Sequence, residues 1–458
     1  MKKNNCIVNV VGGGLAGVEA SWQALKLGAS VKLFEMRPRT LTEAHKTGNL
    51  AEMVCSNSLK SFEEFSAPGR LKKEMQALDS LVIAAAYKAQ VPAGSALAVD
   101  REVFSQVIQE SLNQNPNFQR IDAEVSQLPS LEEMKEKNEV WIIATGPLTS
   151  QAMSKEINRF CGQTNQLYFY DSIAPIVATD SLNMQHCFVG DRYGKGSGDY
   201  INIPLDKVQY LDLIEDILSA EKMPLHSFEE PNYFESCLPI EVMAERGVDT
   251  LRFGPLKPVG ICDPKTGKMP YANIQLRMEN VYGSMHSMVG FQSKMKWPEQ
   301  KRVFTKLPAL ENCEFLRFGS VHRNTYVLGP EVLSPELSLK AHKGVFLAGQ
   351  ITGVEGYSES AASGLLAGRF AASFLGLDDS FVPPPDNTMM GALLSYVTKA
   401  GKGKYAPMNA NLGLLPPVKK EKGMSKRDKK AKQCKLSQLA FEKYLSANDA
   451  TLKKKNEI

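Results

Sequence analysis

Residues 8–17 read Val-Asn-Val-Val-Gly-Gly-Gly-Leu-Ala-Gly, and this short stretch decides the fold of the chain. An apolar run enters the pattern Gly12-x-Gly14-x-x-Gly17, which is typical of the first turn of a dinucleotide-binding βαβ unit. Gly12 allows a sharp turn off the strand, Gly14 lets the backbone approach a pyrophosphate, and Gly17 lets the helix pack on the sheet. The phosphates would then lie on the free N–H groups at the helix N-terminus.

A second predicted strand strengthens this interpretation. Residues 29–34 form an apolar-rich run that ends in Glu35, eighteen residues after Gly17. A carboxylate at this position can accept hydrogen bonds from an adenosine ribose. The sequence therefore predicts a bound dinucleotide, with a glycine-rich turn that holds no ligand as the alternative.

Two later strands indicate which dinucleotide is bound. Residues 141–146 read Trp-Ile-Ile-Ala-Thr-Gly, and residues 344–353 read Gly-Val-Phe-Leu-Ala-Gly-Gln-Ile-Thr-Gly. Flavoproteins of the glutathione-reductase type use such strands to return the chain to the nucleotide site, and the small residues between 352 and 368 would let a helix approach a flat ring. No second Gly-x-Gly-x-x-Gly marks a nicotinamide domain. FAD is therefore expected, and the predicted cofactor-binding residues are Gly12, Gly13, Gly14, Leu15, Ala16, Gly17, Glu35 and Gly349.

Length and composition are those of a soluble globular protein. The chain has 458 residues, of which 43% are hydrophobic and 23% charged, so two or three domains are expected. It has no run of eighteen apolar residues and no signal-peptide pattern, which predicts a cytoplasmic protein without membrane association. Eight cysteines are scattered without zinc-ligand spacing, so we expect reduced thiols and no metal site.

The predicted fold class is α/β, a glutathione-reductase-type FAD-binding Rossmann-like domain with an inserted α+β domain and a basic C-terminal tail. Residues 1–149 and 341–417 are assigned to the FAD-binding domain, because the strands on either side of the interruption belong to one sheet. Residues 150–340 form the insertion and residues 418–458 the extension. Helices are expected at residues 71–89, 205–220 and 388–398.

The extension carries most of the positive charge. Between Lys419 and Lys435 there are nine Lys or Arg and two acidic residues, whereas the whole chain has a formal net charge of only +4. Such a block is usually solvated and poorly ordered, and its commonest use is attachment to phosphate backbones. Nucleic-acid contact is therefore predicted, with a merely solubilising tail as the alternative.

Two cysteines lie among residues that could activate a thiol. Cys55 precedes residues 56–60, which read Ser-Asn-Ser-Leu-Lys, and Cys237 lies between Glu235 and Glu241. A donor-rich or cationic setting favours the thiolate, which is the nucleophilic form. Cys55 and Cys237 are therefore the candidate catalytic residues, although a single cysteine taken alone is more often a buried structural residue.

Several longer motifs occur together in the body of the chain. They include residues 35–38 (Glu-Met-Arg-Pro), 50–61 (Leu-Ala-Glu-Met-Val-Cys-Ser-Asn-Ser-Leu-Lys-Ser), 237–244 (Cys-Leu-Pro-Ile-Glu-Val-Met-Ala), 253–260 (Phe-Gly-Pro-Leu-Lys-Pro-Val-Gly) and 348–357 (Ala-Gly-Gln-Ile-Thr-Gly-Val-Glu-Gly-Tyr). On these motifs the chain resembles the folate- and FAD-dependent tRNA (uracil-5-)-methyltransferases from about residue 7 to about residue 415. The blocks around Cys55 and Cys237 are specific to that family. The basic extension is an addition to the family's pattern.

The resemblance implies an enzyme that methylates C5 of a uridine in RNA. The one-carbon unit would come from 5,10-methylenetetrahydrofolate, and the reducing equivalents from FAD reduced by NAD(P)H. C5 becomes nucleophilic when a thiolate adds at C6. We assign this addition to Cys237 and place Cys55 as a thiol beside the flavin.

The sequence allows more than one RNA substrate and more than one class of protein. The T-loop uridine of tRNA is the expected target, and ribosomal RNA is the alternative because the family has relatives that modify it. Two hypotheses lie outside the family: a plain FAD-dependent oxidoreductase with structural cysteines, and a non-catalytic flavin scaffold that binds RNA. A flipped-out uridine would need phosphate contacts and stacking partners, for which the candidates are Arg246, Lys257, Arg277, Lys294, Lys296, Tyr233, Phe253, Phe291 and Trp297.

Overall fold

The architecture is that of a computed structural model, which describes residues 6–42, 44–161, 167–194, 198–223, 238–280, 282–378, 381–399, 405, 407–419 and 421–456. The strands are β1 (Ile7–Val11), β2 (Ser30–Glu35), β3 (Ser58–Ser61), β4 (Gln90–Val91), β5 (Ala96–Val99), β6 (Phe118–Asp122), β7 (Glu139–Ile143), β8 (Leu167–Ile173), β9 (Ile176–Ala178), β10 (Phe188–Val189), β11 (Tyr200–Leu205), β12 (Ala272–Met278), β13 (Met285–Met288), β14 (Phe315–Arg317), β15 (Ser320–Tyr326) and β16 (Val345–Leu347). The helices are α1 (Leu15–Lys26), α2 (Ala67–Ala77), α3 (Leu81–Lys88), α4 (Arg101–Asn113), α5 (Leu131–Glu136), α6 (Gln151–Cys161), α7 (Lys207–Ser219), α8 (Ile240–Glu245), α9 (Thr250–Phe253), α10 (Trp297–Phe304), α11 (Gly329–Val332), α12 (Tyr357–Phe374), α13 (Met389–Thr398) and α14 (Lys426–Asn456).

A parallel sheet with the strand order β16-β7-β1-β2-β6 forms the centre of the nucleotide-binding part. Its inner strands β1 and β7 are mostly apolar and buried, as is usual for parallel sheets, and helices α1, α5 and α12 pack against β7. The carboxyl ends of β1, β2, β7 and β16 meet at one edge, where ligands bind in this type of fold. The predicted α/β fold class, with strands late in the sequence returning to the first sheet, is confirmed.

The small residues of α12 serve helix packing. A Cβ atom on Gly364 would lie 2.1 Å from the carbonyl oxygen of Ala16, and one on Gly368 would lie 2.5 Å from that of Ala20. Glycine at these two positions therefore lets α12 pack directly on the backbone of α1. The sequence pattern predicts that these glycines approach a flat ring, but Gly364 and Gly368 contact α1 instead.

A second, mainly antiparallel sheet has the strand order β10-β11-β12-β13-β9-β14. One face carries apolar residues of β11 and β12, such as Ile203 and Ile274, which are buried beneath α7 and α10. The opposite face is polar, because Asn202 of β11 accepts hydrogen bonds from Asn273 and Gln275 of β12. This sheet therefore has one side for its own core and one side for polar contacts.

The two hydrophobic cores divide the chain at positions other than the domain boundaries predicted from the sequence. Helix α6 and residues 327–339 pack in the core of the parallel sheet, although they fall within the predicted insertion. The core of the second sheet lies within residues 177–313. The division into domains remains a proposal, and the cores favour boundaries near Ala174 and Gly319.

The basic extension is helical where the structure describes it. On α14, Cys434, Ser437, Phe441 and Tyr444 are buried and recur at helical spacing. Tyr444 Oη donates to Val382 O (2.7 Å), and α14 packs against α2. The expectation of a poorly ordered tail is therefore wrong for this segment, because one face of the helix completes the core.

One smaller difference concerns the predicted helices. The predicted helix at 71–89 is two helices, α2 and α3, because Asp79 has a left-handed backbone (φ 60°) and Ser80 caps α3 by accepting from Ile83 N–H (3.2 Å). The helices predicted at 205–220 and 388–398 are confirmed as α7 and α13.

Candidate cofactor and thiol site

A cavity opens at the carboxyl edge of the parallel sheet. Segments that are distant in sequence line it: the β1–α1 turn, the end of β2, the loop after β7, the turn after β16 and the start of α12. The lining residues include Gly12, Gly13, Gly14, Leu15, Ala16, Glu35, Arg37, Val54, Thr145, Gly146, Gly349, Gln350 and Tyr357. All the predicted cofactor-binding residues except Gly17 line this one cavity.

The three motif glycines serve two different purposes. Gly12 has a left-handed φ of +105°, and a Cβ atom on Gly17 would lie 1.8 Å from the carbonyl oxygen of Gly12, so both glycines are needed for the turn itself. A Cβ atom on Gly14 would meet nothing within 4 Å. No side chain of the described residues caps the N-terminus of α1, and its first turn carries no acidic residue. The space beside Gly14 therefore suits an anionic pyrophosphate.

Glu35 anchors the turn from the end of β2. Its Oε2 accepts hydrogen bonds from Gly13 N–H (2.8 Å) and Arg37 NH2 (3.0 Å), and its Oε1 accepts from the N–H and Nε–H groups of Arg37 (3.0 Å each). Burial raises the pKa of Glu35, but the hydrogen bonds from Arg37 and Gly13 outweigh it and hold the pKa below its usual value. These four donors occupy the acceptor positions of the carboxylate. A ribose hydroxyl would therefore share an acceptor that already holds the turn.

Arg37 is a functional candidate that the sequence reasoning missed. Its guanidinium is 2% exposed and bridges Glu35 and Glu52, with 3.0 Å from NH1 to Glu52 Oε2. Glu52 in turn accepts from the N–H of Thr47 (3.1 Å). The motif at residues 35–38 was the available signal, because an arginine two residues after a strand-end carboxylate can turn back to it.

Cys55 lies against the wall of this cavity. Its N–H donates to Tyr357 Oη (2.8 Å), and its Sγ lies 3.0 Å from the same oxygen. Tyr357 is the first residue of α12 and lines the cavity. Burial raises the pKa of Tyr357 well above its ordinary value, so the phenol keeps its proton and can donate it to the sulfur. The structure thus brings together the predicted thiol and a tyrosine 302 residues away.

The loop that carries Cys55 is also attached to the second sheet. Asn57 Nδ2 donates to Met278 O (2.9 Å), and Asn57 Oδ1 accepts from Arg277 Nε (3.0 Å). Arg317 of β14 donates from NH1 to Val54 O (2.7 Å) and from NH2 to Cys55 O (3.3 Å). The second sheet and Tyr357 of α12 therefore hold this loop at the cavity.

Cys237 lies outside the described residues, and its predicted role as the C6 nucleophile stays a prediction. The described chain resumes at Leu238, and Ile240 N–H donates to Gln292 O (2.7 Å). Glu241, expected to flank the thiol, is buried and accepts a hydrogen bond from the Ser293 hydroxyl. Burial raises the pKa of Glu241.

The candidate RNA-contacting residues fall into different classes. Phe291 is buried in the second core, and Arg277 is engaged by Asn57. Phe253 is 81% exposed, whereas Trp297 is 60% exposed and stacks on Phe318. Tyr233 lies outside the described residues. Phe253 is therefore the most accessible stacking candidate among those described.

The described residues contain neither a membrane-spanning helix nor a cluster of metal-ligating side chains. None of the helices in these ranges is long and apolar enough to cross a membrane. No group of three or more His, Cys, Asp or Glu side chains in them is arranged to hold a metal ion.

The fold and the cavity define a flavoprotein with a glutathione-reductase-type FAD-binding domain. Residues 7–377 match the model of the family described as glucose inhibited division protein A. The crystal structure of GidA from Aquifex aeolicus (form II) has a similar fold, with a TM-score of 0.69 at 17% identity over 96% of this chain and 74% of that one.

Closer relatives share about half of their residues with this chain. The methylenetetrahydrofolate–tRNA-(uracil-5-)-methyltransferase TrmFO of Natranaerobius thermophilus is 48% identical over 96% of this chain and 99% of its own. The proteins with the same name from Pelotomaculum thermopropionicum and Aquifex aeolicus are 50% and 49% identical over 90% and 96% of this chain, and over 92% and 97% of their own lengths. The chain belongs to the methylenetetrahydrofolate–tRNA-(uracil-5-)-methyltransferase family.

Proposed function

We propose that this chain transfers a one-carbon unit from 5,10-methylenetetrahydrofolate to C5 of a uridine in tRNA, the T-loop uridine being the expected target. FAD is the bound cofactor and NAD(P)H the reductant. The observation that carries the proposal is the contact between Cys55 and Tyr357 at the wall of the nucleotide cavity, with 3.0 Å between Sγ and Oη. The names of the relatives, all of which specify tRNA, support the substrate.

The residues of the cavity fit FAD. The open space beside Gly14 and the uncapped N-terminus of α1 suit the pyrophosphate. Gly349, with φ +78°, brings the turn after β16 against α1, since a Cβ atom there would lie 2.8 Å from that of Ala16. When bound, FAD supplies reducing equivalents and a carrier for the one-carbon unit. The chain's own residues bind and orient it.

Cys55 and Tyr357 have complementary parts in this site. The Tyr357 hydroxyl accepts the Cys55 N–H and still has its own proton available for the sulfur. The thiol is thereby oriented and a protein proton donor stands beside it. Cys237 completes the proposal as the nucleophile that adds to C6 of uracil.

The polar face of the second sheet supports RNA binding beside the thiol loop. Arg277 and Gln275 lie on this face, and Arg277 reaches Asn57 of the loop. Arg192 donates to Gln275 Oε1 (2.9 Å) and extends the basic character of the face. A polar surface that ends at Cys55 suits a single-stranded loop with one base turned out towards the cavity.

The test is methyl transfer from labelled methylenetetrahydrofolate under NADPH. The substrate is tRNA that lacks 5-methyluridine, and ribosomal RNA is assayed in parallel. Label should appear at C5 of one uridine in tRNA, and Cys55→Ala and Cys237→Ala should each lose it. Cys262→Ala, which alters an exposed cysteine elsewhere, is the matched control and should methylate normally.

Three results would contradict the proposal. Label in ribosomal RNA alone would assign the other substrate. Reduction of FAD by NADPH without any RNA label would favour a plain oxidoreductase. Tight RNA binding without either reaction would favour a non-catalytic scaffold.

A further inference from the structure

Arg317 connects the second sheet to the thiol loop. It is the last residue of β14, and its guanidinium donates to the carbonyl oxygens of Val54 (2.7 Å), Cys55 (3.3 Å) and Ala174 (3.2 Å). All three acceptors are uncharged backbone groups. The positive charge of Arg317 is thus brought next to Cys55 without being neutralised by these contacts.

Three guanidinium groups and one carboxylate meet beside this loop. Arg101 NH2 lies 3.0 Å from Glu279 Oε2, and Arg277 NH2 lies 3.9 Å from Glu279 Oε1. The Glu279 side chain is 1% exposed and those of Arg101 and Arg277 are 21% and 12% exposed. Within the described chain, Arg317 makes no ion pair with a carboxylate within 4.0 Å. The cluster of Arg101, Arg277, Arg317 and Glu279 therefore has an excess of positive charge.

A buried excess charge is costly unless an anion compensates it. Burial and the neighbouring Arg101 lower the pKa of Arg317 to about 10, while Glu279, Tyr357 and Cys55 act in the opposite direction. Among these three groups, Glu279 already faces Arg101, and Tyr357 keeps its proton. Cys55 is the remaining group that can take up a negative charge.

We propose that Arg317, together with Arg101, is a positioning residue that holds Cys55 in the thiolate form and fixes the direction of its sulfur. The proton of the thiol leaves to solvent, and the Tyr357 hydroxyl donates its hydrogen bond to the resulting thiolate. Among the described residues, Tyr357 of α12 and Arg317 of β14 contact Cys55, and Arg101, Arg277 and Glu279 lie behind them. The inference deepens the proposed function, on which the use of this thiolate rests.

The experiment measures the pH dependence of Cys55 alkylation by iodoacetamide in the FAD-containing protein. The modified peptide is quantified by mass spectrometry, so the readout does not require methyl transfer. In the wild type the midpoint of the rate should lie clearly below the value of about 8.5 for a free cysteine. Arg101→Gln should raise the midpoint by about one unit or more, because one positive charge is removed from the cluster beside Cys55.

Three further variants separate charge from structural support. Arg317→Gln should raise the midpoint, and Arg317→Lys should shift it less because the charge remains. Glu279→Gln removes the carboxylate that offsets the guanidinium groups, so it should lower the midpoint. General loosening of the site cannot produce shifts of opposite sign. Arg302→Gln, on the exposed side of α10, is the control and should leave the midpoint unchanged.

A wild-type midpoint at the free-cysteine value, or shifts in the same direction for Arg101→Gln and Glu279→Gln, would overturn the inference. The methyl-transfer assay is independent of this result. A low alkylation midpoint without methyl transfer would leave the thiolate in place and reject the proposed function. Methyl transfer together with a midpoint at the free-cysteine value would support the proposed function and reject the thiolate inference.

Discussion

Gly14→Ala should weaken FAD binding without disturbing the fold. Gly14 has φ −75° and ψ −175°, which any residue can adopt, and a Cβ atom there would meet nothing within 4 Å. The added methyl group would instead project into the space that the pyrophosphate occupies. A substitution at Gly14 therefore tests ligand binding separately from folding, whereas a substitution at Gly12 or Gly17 would disturb the turn itself.

The expected stability change for Gly14→Ala is small because two effects oppose each other. Alanine is a poorer N-cap residue than glycine by about 0.5–1 kcal/mol. Restricting the unfolded chain offsets this by about 0.4–1 kcal/mol. By contrast, a Cβ atom on Gly17 would lie 1.8 Å from Gly12 O, so α1 must move and the overpacking costs about 1–3 kcal/mol or more.

The assay combines flavin content with thermal unfolding. Absorbance near the flavin maximum gives the FAD occupancy of purified protein, and titration of the FAD-free form gives Kd. Affinity of Gly14→Ala should fall about 10- to 100-fold, equivalent to about 1.4–2.8 kcal/mol. Unfolding must be compared between FAD-free proteins, because a bound ligand stabilises the folded state by mass action.

In the FAD-free state, Gly14→Ala should unfold within a few degrees of the wild type, whereas Gly17→Ala should unfold at a clearly lower temperature. Full FAD occupancy with unchanged Kd in Gly14→Ala would refute the reasoning, since the pyrophosphate would then lie elsewhere. A large loss of stability in FAD-free Gly14→Ala would refute the claim that the space beside it is open.

Three further predictions concern the thiol, the RNA surface and the tail. Tyr357→Phe leaves the Cys55 N–H without its acceptor, at a cost of about 1–3 kcal/mol. Methyl transfer should fall at least about tenfold with FAD retained, and unchanged turnover would show that the Tyr357 hydroxyl is dispensable. Phe253→Ala should weaken tRNA binding by about 1–3 kcal/mol if this exposed ring stacks on a base. Tyr282→Ala, a similarly exposed ring on the β12–β13 hairpin, is the control, and equal effects of the two substitutions would exclude a specific role of Phe253. For the tail, exposed basic residues of α14 are neutralised by Arg427→Gln, Lys430→Gln and Lys435→Gln. The slope of log K against log salt for tRNA binding should flatten by about 0.7–0.9 per lost phosphate contact, without unfolding of the helix. An unchanged slope would leave α14 a purely structural element.

Much of the nucleotide site could be predicted from the sequence because its determinants are local. Gly12, Gly14 and Gly17 lie within six residues. The turn itself requires glycine at positions 12 and 17, and the approach of a pyrophosphate favours it at position 14. Glu35 follows from strand length and the parallel pairing of neighbouring strands. The donors that hold Glu35 were less evident, since which side chain turns back to a carboxylate depends on the conformation after the strand.

The basic extension carries two overlapping sequence patterns, a dense positive charge and the apolar face of a helix. Its dense positive charge predicted a solvated segment, yet Cys434, Phe441 and Tyr444 recur at the spacing of a buried helix face. That spacing was readable in the sequence. Only the structure supplies the partner surface, on α2 and beside Val382, that makes burial of this face favourable.

The sequence by itself determined the βαβ unit, the α/β class and the two cysteines worth testing, because backbone sterics and apolar periodicity act over short stretches of chain. Only the tertiary structure decided what Cys55 contacts. Tyr357 of α12 reaches it from 302 residues away and Arg317 of β14 from 262, and the packing of these two elements brings them to one loop. Such contacts depend on how whole elements pack together, and no spacing within the sequence encodes them.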